Sequence, residues 1–297
     1  MSEIQPRQER SILARIFLSP EEPRLRAGWR LLLHILLMLL FGSILGVIAI
    51  ALGILDLDSI WGQILNFLII TGSVYVARRW LDKRSFESLG LKLDRYTALD
   101  ILAGIGITFV QMGVIYVAML GLGWLTFEGF AWDFDALNVV IRGVVTFFVL
   151  FLFVGWNEEL LSRGYQLQTI ASGLNLFWGV VISSAIFGLL HLGNPNATWV
   201  SAVGIFFAGV YLAYGYIRTK QLWLPIGLHI GWNFFEGVVF GFPVSGLSNI
   251  YKLIRIRVHG PELWTGGAFG PEAGLIVLPS LLLGAFFIYL YTMRRTR

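Results

Sequence analysis

The long apolar runs constrain this chain most. A helix that crosses a bilayer needs about 20 predominantly apolar residues. Runs of that order lie near 31–55, 59–77, 98–125, 137–160, 175–192, 198–217, 222–241 and 273–293. In lipid, every backbone N–H and C=O must find its partner within the segment, so such runs read as helices. The expected fold class is all-α, a polytopic membrane bundle of about eight transmembrane helices. Of the 297 residues, 57% are hydrophobic and only 13% charged, against about 25% charged in an average soluble domain. That excludes a soluble enzyme, a disordered chain and a secreted disulfide module. The 11 Trp and 10 Tyr suit the lipid–water boundary, and the absence of Cys removes disulfides, thiolate metal sites and Cys nucleophiles.

Charge placement orients the bundle. Basic residues gather at the ends of apolar runs: Arg24, Arg26 and Arg30; Arg78, Arg79, Lys83 and Arg84; Arg218 and Lys220; Arg294, Arg295 and Arg297. Such flanks stay cytoplasmic and meet anionic headgroups, which puts both termini inside. The same distribution, under a net charge of +4, argues for a lipid bilayer and against nucleic acid as partner. The acidic loops, with Asp56 and Asp58 and then Glu128, Asp133 and Asp135, fall outside. Residues 242–272 dissent, because they should lie outside yet carry Lys252, Arg255 and Arg257. Either this loop folds back into the membrane or one helix is miscounted. Residues 1–30 form a cytoplasmic or interfacial segment without the features of a cleavable signal. Within it, Arg10–Leu18 is either a short amphipathic surface helix or a frayed tail. Residues 31–297 make one membrane domain, in which Gly42 and Gly46 have the spacing of a helix-packing pair.

The informative residues are the ionisable and strongly polar ones in apolar runs, since each costs about 2.5–3.5 kcal/mol at a helix centre. They gather in three places. In Trp156-Asn157-Glu158-Glu159-Leu160-Leu161-Ser162-Arg163, helical spacing lets Glu159 pair with Arg163 while Glu158 points about 100° away. The second place is Phe187-Gly188-Leu189-Leu190-His191, followed by Asn194. In the third, His229-Ile230-Gly231-Trp232-Asn233, imidazole and carboxamide share a helical face. Taken singly, each has a plain alternative: boundary charges, an interfacial His, or a hydrogen-bonding Asn joining helices. His34 and His259 read as interfacial and loop residues.

Together these residues are similar to the CPBP (ABI) family of intramembrane proteases, which includes the type II CAAX prenyl endopeptidases. The matching motifs are Glu158-Glu159-x-x-x-Arg163, Phe187-x-x-x-His191 and His229-x-x-x-Asn233, in order, within a core of about 140–240. The resemblance implies peptide-bond hydrolysis in or near the bilayer. Glu158 and His191 would activate water, His229 and Asn233 would stabilise the oxyanion, and Glu159, Arg163 and Asn194 would support the geometry. The same residues leave a metal reading open: His191, His229 and Glu158 are a ligand set for catalytic zinc. The cofactor expectation is therefore none or zinc. The implied substrate is a membrane-embedded or lipidated peptide or protein; the compactness and short loops of the chain point to a bacterial inner (cytoplasmic) membrane. Outside the protease class stand a membrane transporter or channel and a catalytically silent scaffold of immunity type. Depth poses a difficulty. His229 lies roughly 13 Å from the Lys220 end, whereas His191 closes its helix at the opposite side. The two meet only if that helix is short or tilted, or if the turn 193–196 dips inward.

Overall fold

A computed structural model describes residues 11–54 and 59–293. Eleven α-helices and a two-stranded sheet account for its regular structure among these residues. Helix α1 (Ile12–Phe17) is short and exposed, with the Ser11 hydroxyl accepting from the Ala14 N–H. It occupies the stretch read as an amphipathic surface helix, although Arg10 lies outside the described residues. The main bundle begins with α2 (Ala27–Ala51), α3 (Ile60–Val76) and α4 (Thr97–Gly121). Next comes α5 (Leu137–Glu159), which runs through a π-helical turn (Leu160–Gln166) into α6 (Leu167–Gly173). Helices α7 (Leu176–Leu190), α8 (Trp199–Thr219) and α9 (Trp223–Asn233) follow, and α9 continues as a π-turn (Phe234–Val239). The short α10 (Glu262–Thr265) precedes α11 (Val277–Met293).

Among the described residues, 6 helices are long and apolar enough to cross a membrane, and α11 is a shorter apolar helix. The chain is therefore a multi-pass, all-α integral membrane protein. Its outer faces carry large apolar side chains, such as Leu39 and Val47 on α2, that only lipid would cover.

Small residues bring α4 and α9 into close contact. A Cβ on Gly227 would strike the Ile101 carbonyl oxygen, and one on Gly104 would strike the Leu228 amide nitrogen. The pair singled out in the sequence does not do this. Gly46 faces open space, and Gly42 makes only ordinary contact with Ile69. The glycines on the buried face of α4 and α9 carry the packing instead, because there the backbones themselves touch.

The basic flanks also differ from expectation. Arg24, Arg30 and Arg78 are buried around Asp82 and do not face headgroups. Arg78 Nη1 donates to Asp82 Oδ2 at 2.9 Å, Arg30 pairs with Asp82 Oδ1, and Arg30 Nη2 reaches Ser172 Oγ at 2.6 Å. This ionic knot ties α2, the end of α3 and α6 together at one end of the bundle. At the other end, β1 (Leu125–Phe130) pairs antiparallel with β2 (Ile254–Val258). Two of the three basic residues singled out in 242–272 lie on β2 and are paired: Arg255 with Asp135 and Arg257 with Glu128, both at 2.7 Å.

Candidate active site

The site is assembled where α5, α7 and α9 face a common hollow. Glu158 and Glu159 occupy the last turn of α5, just before the π-turn that carries Arg163. Glu159 is fully buried, and its Oε1 accepts from Arg163 Nη1 at 2.8 Å and from His229 Nδ1 at 2.7 Å. The pair read from four-residue spacing is present, with His229 as a further donor. The remaining arginine hydrogen bond runs from Nη2 to the Gly209 carbonyl at 3.1 Å. The guanidinium also lies 4.3 Å from the centre of the Phe187 ring. A cation so deep in the bundle persists because carboxylate, carbonyl and aromatic face all meet it.

Glu158 projects differently, as the helical rotation requires. Its Oε2 lies 3.9 Å from His191 Nε2 and 3.7 Å from His229 Nε2. Both imidazoles are fixed from behind. His191 follows α7, where the last carbonyls have no partner within the helix, and its Nδ1 donates to the Phe187 carbonyl at 2.7 Å. A carbonyl and an ionised carboxylate only accept, so each Nδ1 carries its hydrogen. Each Nε2 is left to face Glu158. The depth difficulty is met by contact: His191, at the end of α7, and His229, within α9, both come within 4 Å of Glu158 Oε2. The turn that follows is held inward, with Asn194 Nδ2 donating to the Ser245 carbonyl at 2.9 Å.

Glu158, His191, Asn194, His229 and Asn233 line one cavity of about 480 Å³. Asn233 is buried one turn after His229 on α9. Glu159 and Arg163 do not line it and act from behind. Around the polar cluster the walls are apolar, including Phe151, Val154 and Leu228.

Two imidazole nitrogens and a carboxylate are the right donor chemistry for zinc. His191 Nε2, His229 Nε2 and Glu158 Oε2 are the atoms that would hold it, both nitrogens lying within 4 Å of that carboxylate oxygen. Zinc there would polarise the scissile carbonyl and acidify a bound water, and no step below passes through it.

Three polar neighbours, Asn157, Glu236 and Glu272, were not singled out from the sequence. Asn157 lines the cavity beside Glu158. Glu272, in the turn before α11, lines it too, accepting from the Ser245 N–H and hydroxyl, each at 2.7 Å, and from Trp232 Nε1 at 3.1 Å. Burial raises the pKa of Glu272, and the Ser245 hydrogen bonds oppose that rise. Glu236, one turn beyond Asn233, is fully buried beside this group. Its place in the run 222–241 was a readable signal, by the same cost argument that marks His229. Nothing in the sequence around Glu272 ties it to the helices it meets.

Comparison with known proteins agrees with the motifs. Residues 140–235 match the family model "Type II CAAX prenyl endopeptidase Rce1-like". The chain is 31% identical over 111 residues to a Bacillus subtilis protein described as "Putative membrane peptidase YdiL", covering 37% of this chain and 43% of that one. It is 26% identical over 176 residues to an uncharacterized 24.3 kDa protein of Escherichia coli, covering 57% of this chain and 74% of that one. The match thus spans less than half the length of the Bacillus relative. No solved structure matches the chain.

Proposed function

We propose, from the resemblance of residues 140–235 to the CPBP membrane proteases, that the chain is an intramembrane endopeptidase using water activated by Glu158 and His191. The observation that carries this reading is the placement of Glu158 Oε2 within 4 Å of both His191 Nε2 and His229 Nε2 on the wall of one cavity. In this reading the peptide enters the cavity and its scissile carbonyl lies over the two imidazoles. Glu158, assisted by His191 Nε2, takes a proton from water as the water oxygen attacks the carbonyl carbon. The developing oxyanion accepts hydrogen bonds from His229 Nε2 and the Asn233 amide. Nδ1 of His229 already donates to Glu159, so Nε2 donates only when the ring carries its second proton. Glu159, paired with Arg163, stabilises that imidazolium. The proton held by Glu158 then passes to the leaving amine as the C–N bond breaks.

The cavity's apolar walls suit an extended, hydrophobic segment of a membrane-associated peptide or protein. The resemblances to bacterial chains fit residence in a cytoplasmic membrane. The test is cleavage of a membrane-proteome peptide library by purified protein in detergent, wild type against Glu158→Gln. New peptide termini produced by the wild type and lost in the variant are the expected result. Equal product from both would overturn the assignment of Glu158.

A further inference from the structure

We infer that the catalytic hollow opens toward the extracytoplasmic side of the membrane, so that its substrates are peptide segments presented outside the cytoplasm. This rests on the protease reading for the word substrate, and on charge and helix direction for the side.

The two ends of the bundle differ in charge. Basic residues of 24–30, 78–84, 92–95 and 218–220 lie where α2, α4 and α9 begin and where α3 and α8 end. That end is closed by the buried Asp82 knot. At the opposite end stand Arg142, Lys252, Arg255 and Arg257, two of them paired with acids of the β1 region. An excess of Lys and Arg in short loops marks the cytoplasmic side, because these loops are held back during insertion. The end bearing Arg78 and Lys220 is therefore cytoplasmic.

The cavity lies toward the other end. On α3 it is lined by Gln63, Asn66 and Ile70, and not by the turns nearest Arg78. On α8 it is lined by Ile205, Ala208, Tyr211 and Leu212, stopping short of Arg218. It is bordered by the loop of Val244, Leu247 and Asn249, which leads directly into β2. No residue of the basic end lines it. A substrate reaching Glu158 passes the 244–250 loop or enters between the outer halves of α3 and α5. The substrate class is thus an apolar peptide segment at the outer leaflet, such as the external flank of a membrane anchor or a translocated peptide.

The chain has 0 Cys, so single-cysteine probes report without background. Ser248, exposed in the cavity loop, and Ser85, exposed at the basic end, are replaced one at a time by Cys. A membrane-impermeant maleimide is applied to intact spheroplasts and to inverted vesicles. Ser248→Cys labelled in spheroplasts and protected in inverted vesicles, with Ser85→Cys the reverse, is the expected result. The opposite pattern, or both probes labelled from one side, overturns the inference. A second arm uses an impermeant quenched peptide taken from the library hits, with Glu158→Gln as background. Cleavage by spheroplasts and latency in sealed inverted vesicles until detergent is added is expected. If detergent-solubilised protein cleaves nothing, the protease reading fails, while the labels still decide the side.

Discussion

Replacing Glu159 by Gln tests the electrostatic frame behind the site. The carboxylate is fully buried and accepts from Arg163 and His229. The substitution keeps shape and removes the charge. Arg163 is 1% exposed and keeps only the Gly209 carbonyl and the Phe187 ring as partners. Breaking a buried ion pair by removing one member costs about 3–5 kcal/mol, since the other charge is left uncompensated. Removing both charges with Glu159→Gln and Arg163→Met should cost less than the sum of the single changes. The coupling should be about 0.5–3 kcal/mol, as found for contacting residues. The assay is equilibrium unfolding in mixed detergent and SDS micelles, followed by tryptophan fluorescence. Single variants within about 0.5 kcal/mol of wild type, the range of ordinary surface changes, would refute the reasoning. Additive losses would refute it equally. Activity gives a second check. The amide oxygen of Gln can still accept from His229 Nδ1 but no longer stabilises an imidazolium, so kcat should fall more than KM rises.

Other expectations follow from the same geometry. Glu158→Gln should lower cleavage by roughly 10²–10⁴-fold, the usual worth of a general base, with the unfolding midpoint near that of wild type. Asn233→Ala should reduce kcat by about 10²–10³-fold if its amide meets the oxyanion, and a pure rise in KM would show that it only positions substrate. Metal analysis of the purified protein should find zinc well below one per chain, with cleavage insensitive to chelators. A full equivalent of zinc, with activity lost on chelation and restored by zinc, would replace the metal-free assignment. Gly227→Ala should destabilise by about 1–3 kcal/mol as an overpacked contact, because its Cβ meets the Ile101 backbone and α4 and α9 must separate. No loss on unfolding would show that the two helices are not packed as described.

Some of this architecture was legible before any coordinates. Apolar length alone marks the helices, because lipid forbids unpaired backbone groups. The cost of burying charge picked Glu158, Glu159, Arg163, His191, His229 and Asn233 out of a mostly apolar chain. Helical spacing also predicted the Glu159–Arg163 pair, a contact fixed by local geometry. Pairing across distance was not legible. His229 Nδ1 chooses Glu159 and not Glu158, from 70 residues away, through the rotation and depth at which α5 and α9 pack. Glu272 enters the site from a turn with no motif. Arg24, Arg30 and Arg78 read as headgroup ligands, yet a single acid, Asp82, gathers them into the interior. Composition and periodicity report what each segment must bury, since that is a property of the segment and its solvent. Which buried groups become partners depends on how whole helices are rotated, shortened and stacked, and only the assembled bundle decides that.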